Sequence, residues 1–328
     1  MPKGRRTCLR ILFCVGVAGL VMWTTGGPRV LTPAPPALSQ AETETLLTGL
    51  QHNLDQVETL QGAFTVRCEP GDAPWLTEEK DAKTHRAFYR RYWLAIGTRG
   101  RFREERLDAA EEGCTGLKIS AFDGALRYEW MADNRVGSTA HGLSPNSTVQ
   151  SEIAGYLGLV DKYMPSVGPA REMIDKKGPL TSLGQEKVDG LDCYKLQAAP
   201  PNGGVHTWWI APDRAFGVKR HVWAFPARLI DAKWDIQTNQ WTHTTEEFAE
   251  FAGGIWLPTR VTSSFTATTR AGKQYRGDTV TMVVEQLEVN PKLDDGLFAI
   301  QFPLSTYVVK DDEPSQRPVP GEFGIRKG

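Results

Sequence analysis

Gly190-Leu191-Asp192-Cys193-Tyr194-Lys195-Leu196, Asn202-Gly203-Gly204 and His206-Thr207-Trp208-Trp209-Ile210 follow one another in the second half of this chain. Two runs of aromatic and β-branched residues flank a glycine turn, the pattern of neighbouring antiparallel strands. The pattern continues downstream. Gly254-Ile255-Trp256-Leu257-Pro258-Thr259-Arg260 opens a strand, Tyr275 to Val289 forms a long one, and Arg270-Ala271-Gly272-Lys273 turns between them. Upstream, strands are expected at Ala63–Arg67, Ala87–Ile96, Arg101–Leu107, Leu117–Phe122 and Ala125–Met131. Asp123-Gly124 is a two-residue hairpin signal between the last two. The whole reads as one strongly curved antiparallel sheet, mainly β in an α+β class, with helices on one side.

The helical signals are fewer. Ser39 with Glu42 three residues on is a capping-box signature. Behind it Leu46, Leu47, Leu50, Leu54, Val57 and Leu60 recur at helical spacing, which predicts a helix from Glu42 to Leu60. A second helix is expected within Ser144 to Val160, with Val149, Ile153, Leu157 and Val160 on one face, and a short one from Pro169 to Lys176. No fixed-period repeat interrupts residues 41–311, which are expected to form one domain.

The N-terminus reads as an address. Lys3, Arg5, Arg6 and Arg10 precede an apolar stretch from Ile11 to Trp23. About 13 residues suit a signal segment and fall short of the roughly 20 that span a bilayer. Residues 1–27 are therefore expected to be a signal peptide, with an uncleaved anchor as the other reading, followed by a Pro-rich linker at 28–40. Export to the periplasm or cell envelope follows. Residues 312–328, rich in proline and closing on glycine, are expected to be a flexible tail.

Bulk properties exclude more than they select. Over 328 residues, 38 Lys plus Arg balance 39 Asp plus Glu, so nothing drives the chain generally toward nucleic acid or an anionic membrane. Membrane contact is expected only transiently or through an uncleaved N-terminal segment. Cys68 and Cys114, each after a strand-like segment, are the preferred disulfide pair in an oxidising compartment, and Cys193 reads as a buried thiol. No histidine has a second ligand at metal spacing, and no nucleophile elbow, phosphate loop or dinucleotide fingerprint occurs. His206, His221 and His243 sit in separate expected strands, and their meeting in space is read as a coincidence of the sheet. No catalytic residue, metal or cofactor is expected. An enzyme would require His206 or His221 to converge with Asp213 or Asp235. The local excess of Arg90, Arg91, Arg101 and Arg103 is read as a solvated sheet face, or else as the contact of a module that binds an envelope protein partner.

Several of these features together resemble the outer-membrane lipoprotein-sorting (Lol-type carrier) superfamily. The helix runs into Leu60-Gln61-Gly62-Ala63-Phe64-Thr65-Val66. There follow Phe122-Asp123-Gly124, Val188-Asp189-Gly190-Leu191-Asp192-Cys193-Tyr194-Lys195-Leu196, Trp209-Ile210-Ala211-Pro212-Asp213, Asp295-Gly296-Leu297-Phe298 and Phe302-Pro303. The resemblance implies an open β-barrel of about eleven strands with helices covering the concave face. It also implies a ligand, lipid or lipidated protein, held without a covalent bond in an apolar cavity. Strand alternation nominates Trp208, Ile210, Val222, Trp256, Val261, Phe265, Met282 and Val284 as cavity liners. The stripe nominates Leu46, Leu50, Leu54 and Val57 as residues of a lid helix.

Overall fold

Asp189 and Gly190 both take a left-handed backbone, φ 46° and 85°. That pair of angles makes a two-residue hairpin whose twist matches its strands, and it joins β7 (Thr181–Val188) to β8 (Leu191–Ala198). Between β11 (Ile236–Phe251) and β12 (Ile255–Thr269) the turn is the three-residue loop Ala252-Gly253-Gly254, in which both glycines are left-handed, φ 85° and 77°. The computed structural model describes residues 38–73, 87–109, 117–132, 135–141, 152–159, 180–199, 204–226, 235–304 and 306–310. Outside them lie most of the expected signal and linker, the helix over 169–176, Cys114 and the tail.

The remaining elements are α1 (Gln40–Asp55), β1 (Leu60–Glu69), β2 (Phe88–Ile96), β3 (Phe102–Ala109), β4 (Leu117–Phe122), β5 (Leu126–Met131), β6 (Val136–His141) and α2 (Glu152–Tyr156). They are followed by β9 (Val205–Ala211), β10 (Gly217–Pro226), β13 (Gln274–Val289) and β14 (Tyr307–Lys310). All fourteen strands belong to one sheet, ordered β14-β6-β5-β4-β3-β2-β1-β13-β12-β11-β10-β9-β8-β7. The two ends of that order are free edges, so the sheet is curved but not closed. Every pairing is antiparallel except β14 with β6. The count exceeds the expected eleven. Two of the strands outside the expectation, β6 and β14, share the β14 edge, where Tyr307 N donates to the Arg135 carbonyl at 2.8 Å and starts the parallel pair. No helix among the described residues is long and apolar enough to cross a membrane.

α1 starts where the capping box puts it. The Glu42 carboxylate accepts from Ser39 N and Oγ, and Glu42 N donates back to Ser39 Oγ. It ends earlier than the leucine stripe predicts. Asn290 Oδ1 accepts from Glu58 N and Thr59 N, and its Nδ2 donates to the Gln56 carbonyl. Those bonds stop the helix and turn the chain into β1, so Leu60 is a strand residue and Val57 lies beyond α1.

Both helices pack on the same face of the sheet. Leu46, Leu47 and Leu50 of α1 meet Leu196, Ala198, Trp208 and Ile210 of β8 and β9. Ile153, Ala154, Tyr156 and Leu157 of the α2 segment join Leu60, Phe64, Val66, Tyr92 and Leu94, together with Leu257, Val261 and Met282. Among the described residues the helices meet this face in two patches; the expected cover over the whole face is not shown, and most of the other expected helical stretches, 144–151 and 169–176, lie outside the described residues. On the other face the segment 295–303 crosses β3 to β6. There Ile300 and Phe302 pack on Ile119, Ala121, Tyr128 and Trp130.

Candidate functional site

Between the two helix patches lies an apolar groove. α1 contributes Leu50, Asn53 and Leu54, and the α2 segment contributes Gly155, Tyr156, Leu157 and Gly158. The sheet contributes Val218 and His221 of β10, His243, Thr245 and Phe248 of β11, and Trp256, Leu257, Pro258 and Val261 of β12. The enclosed space is about 60 Å³. A cavity of roughly 150 Å³ admits one benzene ring, so the groove as it stands holds only a fragment of an alkyl chain.

Asn53 joins the helix to the rim. β13 pairs with β12 only from Arg260 onward, which leaves the backbone of Trp256 without a strand partner on that side. Asn53, 2% exposed, fills the gap: its Nδ2 donates to the Trp256 carbonyl at 2.8 Å and its Oδ1 accepts from Trp256 N at 2.9 Å. The side-chain amide stands in for one residue of a neighbouring strand. Close by, the ring of Phe216 lies where any side chain at Gly49 would have to go, 2.2 Å from an added Cβ.

The groove floor continues into a stack of rings. His206, Trp208, His221, Trp223 and His243 lie nearly parallel, with neighbouring centroids 5.2 to 5.9 Å apart. His206 Nδ1 and His221 Nε2 are 3.2 Å apart. Register produces the stack: Trp208 is opposite His221, His221 opposite His243, and His206 opposite Trp223. The sequence allows this meeting, read from the letters as a coincidence of the sheet without a site. A signal existed, one histidine on each of three consecutive strands, but only the register turns it into a contact. Burial pushes the His243 imidazole down to about 4, so it is neutral at ordinary pH. Among the described residues no set of three His, Cys, Asp or Glu could hold a metal ion. Asp235 pairs instead with Arg270.

The nominated liners divide into several groups. Trp256 and Val261 line the groove, as do Leu50 and Leu54 of the helix. Trp208, Ile210 and Leu46 are buried together under α1 beside it, and Met282 and Val284 belong to the larger cluster under α2. Phe265 packs at a tilt against Trp241 farther along the sheet, with centroids 5.0 Å apart. Val222 points the other way, into the cluster of Val188, Cys193, Trp209 and Ala211. The cause is a β-bulge at Lys219: one extra residue between Val218 and Arg220 exchanges the faces of everything after it. Lys219, 3% exposed, is held there by the Thr245 carbonyl at 2.6 Å and Asp189 Oδ2 at 3.1 Å.

Cys193 is a buried thiol pushed up to about 11 by burial, which suits a packing role. Cys68 is buried on β1, but its expected partner falls outside the described residues. Of the four arginines, Arg90 lies on the opposite face of the sheet from Arg91, Arg101 and Arg103. Arg101 pairs with Asp295 and lies over Phe298, and Arg103 pairs with Glu105 and donates to the Leu297 carbonyl. A second pocket of about 340 Å³ lies beside that segment, lined by Arg103, Ile119, Trp130, Gly296, residues 299–301 and Pro303. It is more polar and more open than the groove, and the charge at its wall is already paired.

No protein-family model matches this chain, and no curated protein does. Solved structures do. A DUF1329 family protein from Desulfovibrio piger shares 13% identity at a TM-score of 0.46, over 79% of this chain and 96% of that one. A domain assigned to outer-membrane lipoprotein sorting in Vibrio parahaemolyticus shares 12% at 0.44, over 78% and 96%. An uncharacterized conserved protein from Thermus thermophilus shares 10% at 0.33, over 82% and 99%. At these identities and scores the likenesses bear on neither family, ligand nor activity.

Proposed function

We propose that this chain is a non-catalytic protein of the cell envelope, carrier- or sensor-like, that binds lipid or the acyl chain of a lipoprotein in the groove between α1, α2 and β10–β12. One observation carries the reading: an apolar groove lies between two helix patches and one face of an open sheet. The basic and apolar N-terminal stretch supports export, and the absence of a catalytic motif in the sequence supports binding without chemistry.

The size of the groove dictates the mechanism. At about 60 Å³ it cannot hold an acyl chain while α1 is seated, so binding requires the helix to move off the sheet. Each buried methylene contributes up to about 0.8 kcal/mol. Lifting α1 gives up the burial of Leu46, Leu47 and Leu50, about 1.5 to 3 kcal/mol each, as well as its hydrogen bonds, so the acyl chain must bury enough methylenes to offset both. The ligand replaces the leucines of α1 against Trp208, Ile210 and Val261.

The test is the intact mass of the protein isolated from its native envelope fraction, measured before and after denaturation. An adduct of lipid mass that disappears on denaturation is the expected result. A bare chain in both spectra overturns the proposal and leaves a protein-binding module as the better account.

A variant sharpens this. An added Cβ at Gly155 meets nothing within 4 Å, although the residue lines the groove. Gly155→Leu should fill the space with a folded protein and lower acyl-chain affinity at least about tenfold, the effect of losing two buried methylenes. Gly155→Ala, the control, should raise stability by about 0.5 to 1 kcal/mol through helix propensity alone. Undiminished binding by Gly155→Leu would move the site elsewhere.

A further inference from the structure

The groove has a cation at its mouth. Arg214 ends the short 3-10 turn Pro212–Arg214 between β9 and β10. Its guanidinium lies over the ring of Trp256, 4.6 Å from the centroid, and Trp256 lines the groove. An added Cβ at Gly217, another lining residue, would sit 3.0 Å from the Arg214 carbonyl. Arg214 therefore borders the groove at the end where α1 is fastened by Asn53.

Its bonding leaves most of its capacity unused. One bond from Nη1 to the Asp213 carbonyl, at 2.8 Å, is its hydrogen bond among the described residues. It makes no ion pair there: neither its neighbour Asp213 nor Glu250, paired opposite Trp256 in the ladder, reaches it. Stacking on an indole occupies the face of a guanidinium and leaves its edge, with up to five N–H donors, directed outward. That planar fork matches a carboxylate or phosphate. By contrast, Arg101, Arg103, Arg127, Arg260 and Arg270 all pair with carboxylates.

We propose that Arg214 receives the anionic head of the ligand whose chain enters the groove, so the ligand is an acyl amphiphile ending in a carboxylate or a phosphate. The inference rests on the acyl-binding reading above and adds the chemistry of the head. Trp256 serves both parts: its ring edge faces the chain and its face holds the guanidinium in place.

The experiment is equilibrium binding of laurate, lauroyl lysophosphatidate and dodecanol to the full chain and to Arg214→Gln and Arg214→Lys. These ligands share a chain length and differ in the head. Arg214→Gln should weaken both anions at least about tenfold, the effect of losing a charged hydrogen-bonding partner, and leave dodecanol unchanged. Arg214→Lys should restore part of the loss, because it keeps the charge and lacks the fork. Loss for laurate alone assigns a fatty-acid head, and loss for the lysophosphatidate alone assigns a phosphate. Equal weakening of dodecanol, or no weakening of either anion, overturns the role of Arg214 while the groove reading stands. Failure of the unaltered chain to bind any of the three, with Gly155→Leu no different, overturns both.

Discussion

Acidification from pH 6.5 to pH 4 should cost the fold about 3 kcal/mol through His243 alone. The imidazole is 8% exposed, on the groove floor, and burial holds its folded-state value near 4 against an ordinary 6.5. Between those two values the unfolded chain takes up a proton that the folded chain refuses. Stability is therefore fully present above pH 6.5 and falls by about 1.4 kcal/mol for each pH unit down to 4, below which both states are protonated and the loss levels off. Carboxylates with depressed values, such as Glu186 beside Trp209 and Lys195, add their own acid loss. The contribution of His243 is isolated by comparison with His243→Gln, which retains a polar group but cannot titrate there. The stability difference between the two proteins, from urea unfolding at several pH values, should be constant above pH 6.5 and change by about 3 kcal/mol between pH 6.5 and pH 4. Parallel curves from pH 7 to pH 4 would show that His243 is not buried as described. The same group has a functional reading: His243 lines the groove, and the folded chain takes up its proton only near pH 4, so ligand release by a charge against the acyl chain should begin there, below the range in which stability falls.

What the sequence shows and what it hides divide by distance along the chain. The capping box of α1 is a contact between residues three apart, and the Asp189-Gly190 hairpin is set by two adjacent residues, so both are visible in the letters. The groove is assembled from the opposite kind of contact. Asn53 meets Trp256 across 203 positions, and Asn290 ends α1 from 232 to 234 positions away. A leucine stripe cannot register an asparagine so distant, which is why the helix was extended through Val57 to Leu60. The bulge at Lys219 is subtler. Its lysine is held by Thr245, 26 residues on, and the bulge alone decides that Val218 and His221 face the groove while Val222 faces Cys193. Alternation counted along β10 without the bulge returns the wrong face for every residue beyond it. The ring stack follows from the same register: the letters show one histidine on each of three strands, and only the pairing shows that they touch.

Asn53→Ala should release α1 from the sheet without unfolding the sheet. The substitution deletes two hydrogen bonds of 2.8 and 2.9 Å and, while the helix stays seated, leaves the N–H and carbonyl of Trp256 buried without partners. Two lost bonds with unsatisfied backbone groups cost about 2 to 4 kcal/mol. The chain can recover part of this by letting water reach Trp256, but only if α1 moves away. Its leucines still pack on Leu196, Trp208 and Ile210, so the movement is a transient opening between two anchors. Leu38 N donates to Ser182 Oγ at one end and Asn290 holds residues 56–59 at the other, so the helix keeps both anchors. The expected outcome is faster amide hydrogen exchange in residues 46–55, by roughly tenfold or more, with little change in β12 and β13. Acyl ligands should enter and leave faster in the same variant, because the step that opens the groove now costs less. Unchanged protection of α1, together with an unchanged association rate, would mean that Asn53 only fills space and that the route into the groove lies elsewhere. Asn53→Gln tests the geometry separately: one added methylene displaces the amide from the Trp256 backbone while preserving its polarity. If the amide acts as a surrogate strand residue, this variant should behave like Asn53→Ala and not like the unaltered protein.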